Sequence, residues 1–476
     1  MSSSLHIDDL PAEAFEHILD FVPLSVRKVA SLVCRRWCLQ AFSHRYMGRA
    51  KLRMINWKSD DILQRSWRPY RNLEVNFGPQ SCTDVDLELL VKVLRRFETR
   101  LESFTCSSAL SPKQLRDAVL LMPNLKKIKM AVIDHDGKVA EPLPILNELI
   151  EFKMENNIMD VSTVDVLRMM PNVRHLSANL GRCIDPERSF HVLRVYAPQL
   201  KSLEMFALDN VVPIEKLDLR MLESLKLTGK ICNLDEMLLQ QFFAGVPLLK
   251  TGFLSIYMTR SVLAVIGQNC PQLTTLSFRV YTLNEKLFRC LEGLQHLKVL
   301  HIYGHLVQYM LKDCKPLHSV RTFSLDMYER PFDYEQCMTQ LNRVLPNLIH
   351  LKVASWQLDN ALVRQICTTF TKLRRLKVAD IMKLSAAGFD RLADIVNLEE
   401  LTLSGMRLPI DSLPTSNLKR LKLENFRWLD RESLLQVGML FPCLQYLELF
   451  WCELITWEDV AVARHALPNC IIHYVE

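Results

Sequence analysis

The chain reads as an α/β protein, a right-handed solenoid in which short parallel strands line a concave sheet and helices back them. Three observations predict this. A motif of the form L-x-x-L-x-L recurs at nearly constant spacing, a helix-type apolar period fills each interval, and proline closes most intervals.

The strand motif comes first. Clear copies begin at Leu125 (LKKIKM), Val173, Leu200, Leu222, Leu273, Leu297, Val320, Leu348, Leu373, Leu398, Leu418 and Leu444 (LQYLEL), with weaker ones at Leu149, Leu249 and Cys470. Their spacing averages about 25 residues, inside the range of leucine-rich repeats. LEVNF from Leu73 and LESFTC from Leu101 are degenerate opening units, so the array spans 71–476 with about 15–17 units. At Gly252 the unit from Leu249 lacks its second apolar residue, and a local irregularity is expected there.

The helices come next. Ser111-Pro112, Asp185-Pro186 and Ser261 stand where N-caps would stand, and Ser162 with Asp165 and Thr456 with Asp459 have capping-box spacing. Pro123, Pro171, Pro198, Pro247, Pro271, Pro346, Pro442 and Pro468 end the segments, since proline cannot continue a helix. Helices are about 10 Å wide and parallel strands stack at about 4.8 Å. An array of both must therefore curve into a horseshoe with the strands inside. No unit buries its own leucines, so the array is stable only as a stack.

Cys452 fills the position after L-x-x-L-x-L-x-x, where Asn or Cys satisfies backbone groups at the turn. It is read, with Cys443, as a residue of the repeat frame rather than as a metal ligand or half of a disulfide. This stretch resembles the cysteine-containing class of leucine-rich repeat, found mainly in F-box proteins.

Residues 1–50 lack the repeat. Phe15, Ile18, Leu19 and Val22 make one stripe of an amphipathic helix between Pro11 and Pro23. Ser25 can cap a second helix carrying Val26, Val29, Leu32 and Val33, and a third runs through Trp37. So small a core leans on a partner or neighbour. Leu10-Pro11, Ile18-Leu19, Phe21-Val22-Pro23-Leu24 and Leu32-Val33-Cys34-Arg35-Arg36-Trp37 resemble the F-box motif. Together with the repeats, the chain resembles the F-box and leucine-rich repeat family, the substrate receptors of SCF-type cullin–RING ubiquitin ligases. That resemblance implies an adaptor-docking surface formed or supported by Leu10, Pro11, Ile18, Leu19, Leu24, Leu32, Val33 and Trp37. The alternative, that several of these only hold the helices together, stays open, most of all for Trp37. Residues 51–70, poor in Gly and Ser, are expected to form a connector helix on the first repeats.

Composition narrows the function. The chain has 476 residues, 49% hydrophobic and 24% charged, with a formal charge of +6 that permits an acidic partner without demanding nucleic acid. No apolar run approaches the length of a membrane span, and the start MSSSLHIDDLPAEAF lacks the signal-peptide pattern. Fourteen cysteines without a C-x-x-C pair read as reduced thiols of a cytoplasmic or nuclear protein. Phosphate-loop, nucleophile-elbow and zincin motifs are absent from the sequence. His301 and His305 straddle a strand and a glycine, and Asp134, Asp136 and Gly137 make only part of a calcium loop. No cofactor, metal site or catalytic centre is expected.

The concave face carries the recognition reading. In L-x-x-L-x-L the second and third x positions point away from the leucines. Units Leu348 to Leu418 place His350, Lys352, Arg375, Lys377, Arg420 and Lys422 there against one acid, Glu400. Such a stripe suits an acidic or phosphorylated protein segment, or is ordinary solvated surface. Aromatic residues are not interleaved with it, which argues against nucleic acid. The expected function is a non-catalytic subunit that docks the adaptor through the F-box and recruits a protein target for ubiquitination. The rival is a leucine-rich scaffold that sequesters partners without ubiquitination.

Overall fold

The computed structural model describes residues 10–48, 50–55, 68, 70–78, 82–108, 110–130, 144–154, 168–179, 186–206, 214–228, 236–280, 286–304, 308–326, 334–355, 358–379, 384–406 and 409–475. They fall into two units, Met1–Phe206 and Ala207–Glu476. The expected fold class holds: α/β, with helices at the amino terminus and then parallel strands alternating with helices or 3₁₀ turns.

The first unit opens with α1 (Ala12–Asp20), α2 (Leu24–Ala30), α3 (Arg35–Ala41) and the single turn α4 (His44–Met47). Seven strands follow: β1 (Lys51–Ile55), β2 (Asn72–Asn76), β3 (Ser103–Cys106), β4 (Lys127–Met130), β5 (Glu151–Met154), β6 (His175–Asn179) and β7 (Ser202–Phe206). They pair in chain order, each parallel to the next. The second unit holds β8 (Ser224–Thr228), β9 (Thr251–Tyr257), β10 (Thr275–Val280), β11 (Val299–Gly304), β12 (Thr322–Asp326), β13 (His350–Ala354), β14 (Arg375–Ala379), β15 (Glu400–Ser404), β16 (Arg420–Glu424), β17 (Tyr446–Phe450) and β18 (Ile471–Val475), again paired in order and parallel.

Every copy of the sequence motif from Leu73 onward coincides with one strand. The reason is the period of two. Leu376 and Val378 in β14, and Leu421 and Leu423 in β16, are buried, while Lys377 and Lys422 between them keep contact with solvent. In-register stacking then lines up like positions, so Leu351, Leu376, Leu401, Leu421 and Leu447 form one continuous apolar row.

A second row of contacts escaped the sequence reading. The residue after the closing proline is often Asn or Gln, and its amide donates to a backbone carbonyl of the preceding repeat. Asn124 reaches Thr99, Asn172 reaches Asn147, Gln199 reaches Pro171 and Asn347 reaches His318, at 2.8–2.9 Å. These bonds stitch consecutive turns together. Cys452 works as expected: it is buried, and its thiol lies 3.7 Å from the carbonyls of Leu423 and Phe450. Cys443, by contrast, is exposed and faces Asn417 Oδ1 at 3.8 Å.

The irregularity at Gly252 is present. Between Ser277 and Arg279 of β10, β9 advances from Phe253 to Tyr257, two residues more than its partner. With no side chain on Gly252 to pack beside Leu276, the strand gains its burial from Leu254 and Ile256 instead.

Several expectations are corrected. The connector helix over 51–70 does not begin at its first residues: Lys51–Ile55 is β1, paired with β2. The rest of that segment, apart from Arg68 and Tyr70, lies outside the described residues. The helix after β9 is capped by Thr259, not Ser261, because Thr259 Oγ1 stands at the right spacing to accept from the Val262 amide. α2 begins at Leu24 behind Pro23 and ends at Ala30, so Ser25 is not its cap, and Leu32 and Val33 sit in the turn that follows. Ser111 and Thr456 make the expected caps, and Thr83 makes another with Asp86. Ser162, Asp165, Asp185, His305 and the Asp134–Asp136–Gly137 stretch lie outside the described residues.

Candidate functional site

The amino-terminal helices enclose a core of Phe15, Leu19, Ala41, Phe42, Tyr46, Met47 and Ala50, with Trp37, Cys38 and Tyr70 packed against it. Trp37 lies on Phe15 with ring centroids 4.7 Å apart. Arg27 stacks over Tyr46 at 4.7 Å, and the Tyr46 hydroxyl donates to the Glu16 carbonyl. Arg36 donates to the Leu10 carbonyl, tying α3 to the start of α1.

The apolar side chains left outside this core define a surface. Phe21, Val29, Leu32 and Val33 are 78%, 66%, 84% and 62% exposed, and Ile18 and Val26 join them at lower exposure. Isolated exposed leucines are ordinary. Six large apolar residues laid bare within sixteen positions make this stretch the candidate contact surface. Of the docking residues expected from sequence, Ile18, Leu32 and Val33 stand on this surface, Pro11 is exposed and Leu10 half-buried. Leu19 does not belong to it: at 2% exposure it is core, because it shares the inward stripe of α1 with Phe15. Trp37 is half-buried on that same core. The side chain of Leu24 lies outside the described residues. Phe21, Val26 and Val29 were missed as surface residues, because helical spacing reports a stripe without saying which way it faces.

These helices are joined to the strands without a gap. The Asn72 amide at the start of β2 donates to the carbonyls of Gly48 and Ala50, Arg68 stacks over Phe42 at 3.8 Å, and Tyr70 bridges to Phe97 at 5.8 Å.

The second candidate surface is the open face of the strands, opposite the leucines. In the first unit, Lys127, Glu151, Lys153, His175, Ser177, Ser202 and Glu204 line a polar cleft of about 290 Å³ on β4 to β7. Its charges are internally paired, Lys127 with Glu151 at 2.7 Å and Lys153 with Glu204 at 3.2 Å.

In the second unit the expected stripe exists in register: His350 beside Arg375, Lys352 beside Lys377, Arg420 beside Tyr446 and Lys422 beside Glu448. It is not a bare basic surface. Lys352 pairs with Asp326 at 3.0 Å, Arg375 with Glu400 at 2.9 Å and Lys377 with Glu424 at 2.8 Å across the intervening β15. Lys422 lies 2.7 Å from Glu424, and Arg420 lies 3.5 Å from Glu448. Burial alone would raise the Glu424 carboxyl, but hydrogen bonds from Lys377 and Lys422 hold it below its ordinary range. The expectation of a single opposing acid fails because it read only the x positions inside the motif. The residue after the last leucine has the same parity, and there Asp326 and Glu424 stand. Five permanent cations therefore meet four carboxylates. His350 is held low by burial and by Arg375 beside it, which favours its neutral form.

The F-box domain family matches residues 7–45, the stretch that supplies α1 to α3. F-box domains bind the adaptor subunit of SCF-type cullin–RING ubiquitin ligases, and this chain carries one at its amino terminus. No curated protein matches the sequence. Among solved structures, the chain is similar to one in the Rad7 and Elc1 complex of yeast, at 14% identity over 97% of this chain and 92% of that one, with a TM-score of 0.37. It is also similar to one in the TLR13–ssRNA13 complex, at 15% identity over 84% of this chain and 58% of that one, with a TM-score of 0.47.

Proposed function

We propose that the chain is a non-catalytic substrate receptor of an SCF-type ubiquitin ligase, working in the cytoplasm or nucleus. The F-box docks the adaptor, and the open strand face recruits a protein target for ubiquitination. The observation that carries this reading is the exposed apolar set of Ile18, Phe21, Val29, Leu32 and Val33 on a matched F-box domain. Fully burying such side chains contributes roughly 1.5–3 kcal/mol each, enough to offset the cost of association when several act together. The strand face supports the second half: its x positions are free of packing duty and carry dense, ordered polar groups. Its partner is a protein rather than nucleic acid or membrane, since the near-balanced charge there gives no phosphate-backbone footprint.

The test is copurification of the full chain with the adaptor, for wild type and Leu32→Asp, followed by quantitation of target turnover. Loss of adaptor binding in the variant, together with stabilisation of bound proteins, supports the receptor. Adaptor binding without any change in target turnover supports a sequestering scaffold.

A further inference from the structure

The cations of the β13–β16 stripe all have acids beside them, whereas among the described residues Arg279 on β10 has none. Its Nε is shut off from solvent and makes no hydrogen bond, and among the described residues no carboxylate comes within ion-pair distance. The nearest acid in register, Asp326, lies two strands away on β12 and is engaged by Lys352. The side chain as a whole is only half-buried, so the rest of the guanidinium fork faces the open side of the strands without a carboxylate, where an incoming acceptor can reach it.

The surroundings fit an acceptor. The two extra residues in β9 put Tyr257, rather than Ser255, beside Arg279, and β11 puts Tyr303 on its other side. Below this trio Ser277 and Ser324 are small and 3% exposed, flanking His301, with Phe253 at the edge of the row. Tyrosines thus hold the register positions on both sides of Arg279, with small serines in the row below. Strand irregularities are commonly the places where a side chain is re-aimed toward a ligand.

We propose that Arg279, between Tyr257 and Tyr303, anchors a carboxylate side chain of the target segment. This deepens the reading of the open face as target-recruiting and rests on it. A carboxylate matches better than a phosphate because, among the described residues of this trio and its row, Arg279 is the one cation without a carboxylate beside it: a monoanion neutralises it, while phosphorylated segments are held by clusters of arginines. His301 adds no charge, since burial and the nearby Lys352 keep it below its ordinary range.

The experiment is nuclear magnetic resonance of the full-length chain with arginine-selective ¹⁵N labelling. The Arg279 Nε–H line is identified by its loss in Arg279→Lys. It is then titrated with N-acetylglutamate N-methylamide, with the glutamine counterpart, and with inorganic phosphate. The carboxylate should move the line saturably, with half-saturation on the order of millimolar, as expected for one charge-assisted contact. The glutamine counterpart should leave it in place, and Tyr303→Ala should weaken the response roughly ten-fold if the ring shields the contact. No carboxylate-dependent movement, or saturation by phosphate at about one tenth the concentration, overturns the proposal. Adaptor copurification on the same protein separates the two readings. A chain that answers carboxylate yet ignores the adaptor overturns the receptor function alone. One that binds the adaptor without the carboxylate response overturns the Arg279 site alone.

Discussion

Leu19 and Leu32 sit in one short motif and end in opposite environments, the first sealed in the helical core and the second almost fully in solvent. The difference makes a prediction. Leu19→Ala should destabilise the F-box by about 2–5 kcal/mol, as a buried leucine does, while Leu32→Asp should leave the melting temperature nearly unchanged and abolish adaptor copurification. Thermal melts and pull-downs on both variants check this; equal melting losses would contradict it. Cysteine gives a second residue-scale expectation. Burial pushes the thiols of Cys106 and Cys314 up to about 11 and those of Cys270 and Cys367 up to about 12, from an ordinary 9.0. A group whose folded pKa is raised contributes stability below its unfolded pKa and loses it as pH rises through the folded value. Melting temperature should therefore fall as pH rises from about 9 toward 11–12, and less so in a variant with these thiols replaced by alanine. Alkylation at pH 8 should reach Cys34 and Cys443, which are exposed, and spare those four until the chain unfolds. The frame role of Cys452 was legible in sequence because it is periodic, whereas the exposure of Cys443 was not, since it belongs to the row after the closing proline, where Asn or Gln usually stands, and that row escaped the sequence reading.

At the scale of the element, strands were legible nearly to the residue and helix starts less so. A strand's identity comes from leucines every second position, repeated seventeen times from Leu73 on, and an error in one copy is corrected by its neighbours. A cap depends on a single side chain, and Thr259 was hidden by the nearby Ser261. Close backbone contact between repeats was also invisible. A Cβ on Gly267 would lie 2.1 Å from the carbonyl oxygen of Cys290, and one on Gly293 would lie 2.6 Å from that of Gly267. Gly267→Ala, ordinarily favourable in a helix, should here destabilise the second unit by more than about 2 kcal/mol in chemical denaturation. The ion-pair network gives the sharpest reversal. Lys377→Glu would set a second carboxylate against Glu424, whose side chain is only 16% exposed, and should cost about 1–3 kcal/mol. Adding Glu424→Lys should recover part of that loss, and a swap that recovers nothing would show the pair to be incidental. The stripe read from sequence either as a landing site for an acidic segment or as solvated surface is thus also a network of ion pairs within the fold.

For the molecule as a whole, repeat length announced the parallel strands alternating with helices, and a forty-residue motif announced the F-box, but the joint between them carried no pattern. β1 has only the apolar residues Leu52, Met54 and Ile55, too brief to register as a repeat, yet it pairs along its full length with β2. Tyr70, Arg68 and Asn72, all beyond the motif, complete the helical core or bind its backbone. Residues 1–50 alone should accordingly show no cooperative unfolding transition by circular dichroism, whereas Asn72→Ala in the full chain should lower the first unit's stability by about 1–2 kcal/mol. A sharp melt from the isolated fifty residues would refute this. The joint also settles what kind of part the F-box is. It cannot be lifted out as an interchangeable cassette, because some of its walls are built by its neighbour. A lineage that shuffles this domain onto a new recognition module must carry the first strand with it or rebuild Tyr70 and Asn72 afresh. Open-face residues such as Arg279 stand apart from that constraint, so on the proposed reading the choice of target can drift by single substitutions while the connection to the ligase is inherited whole.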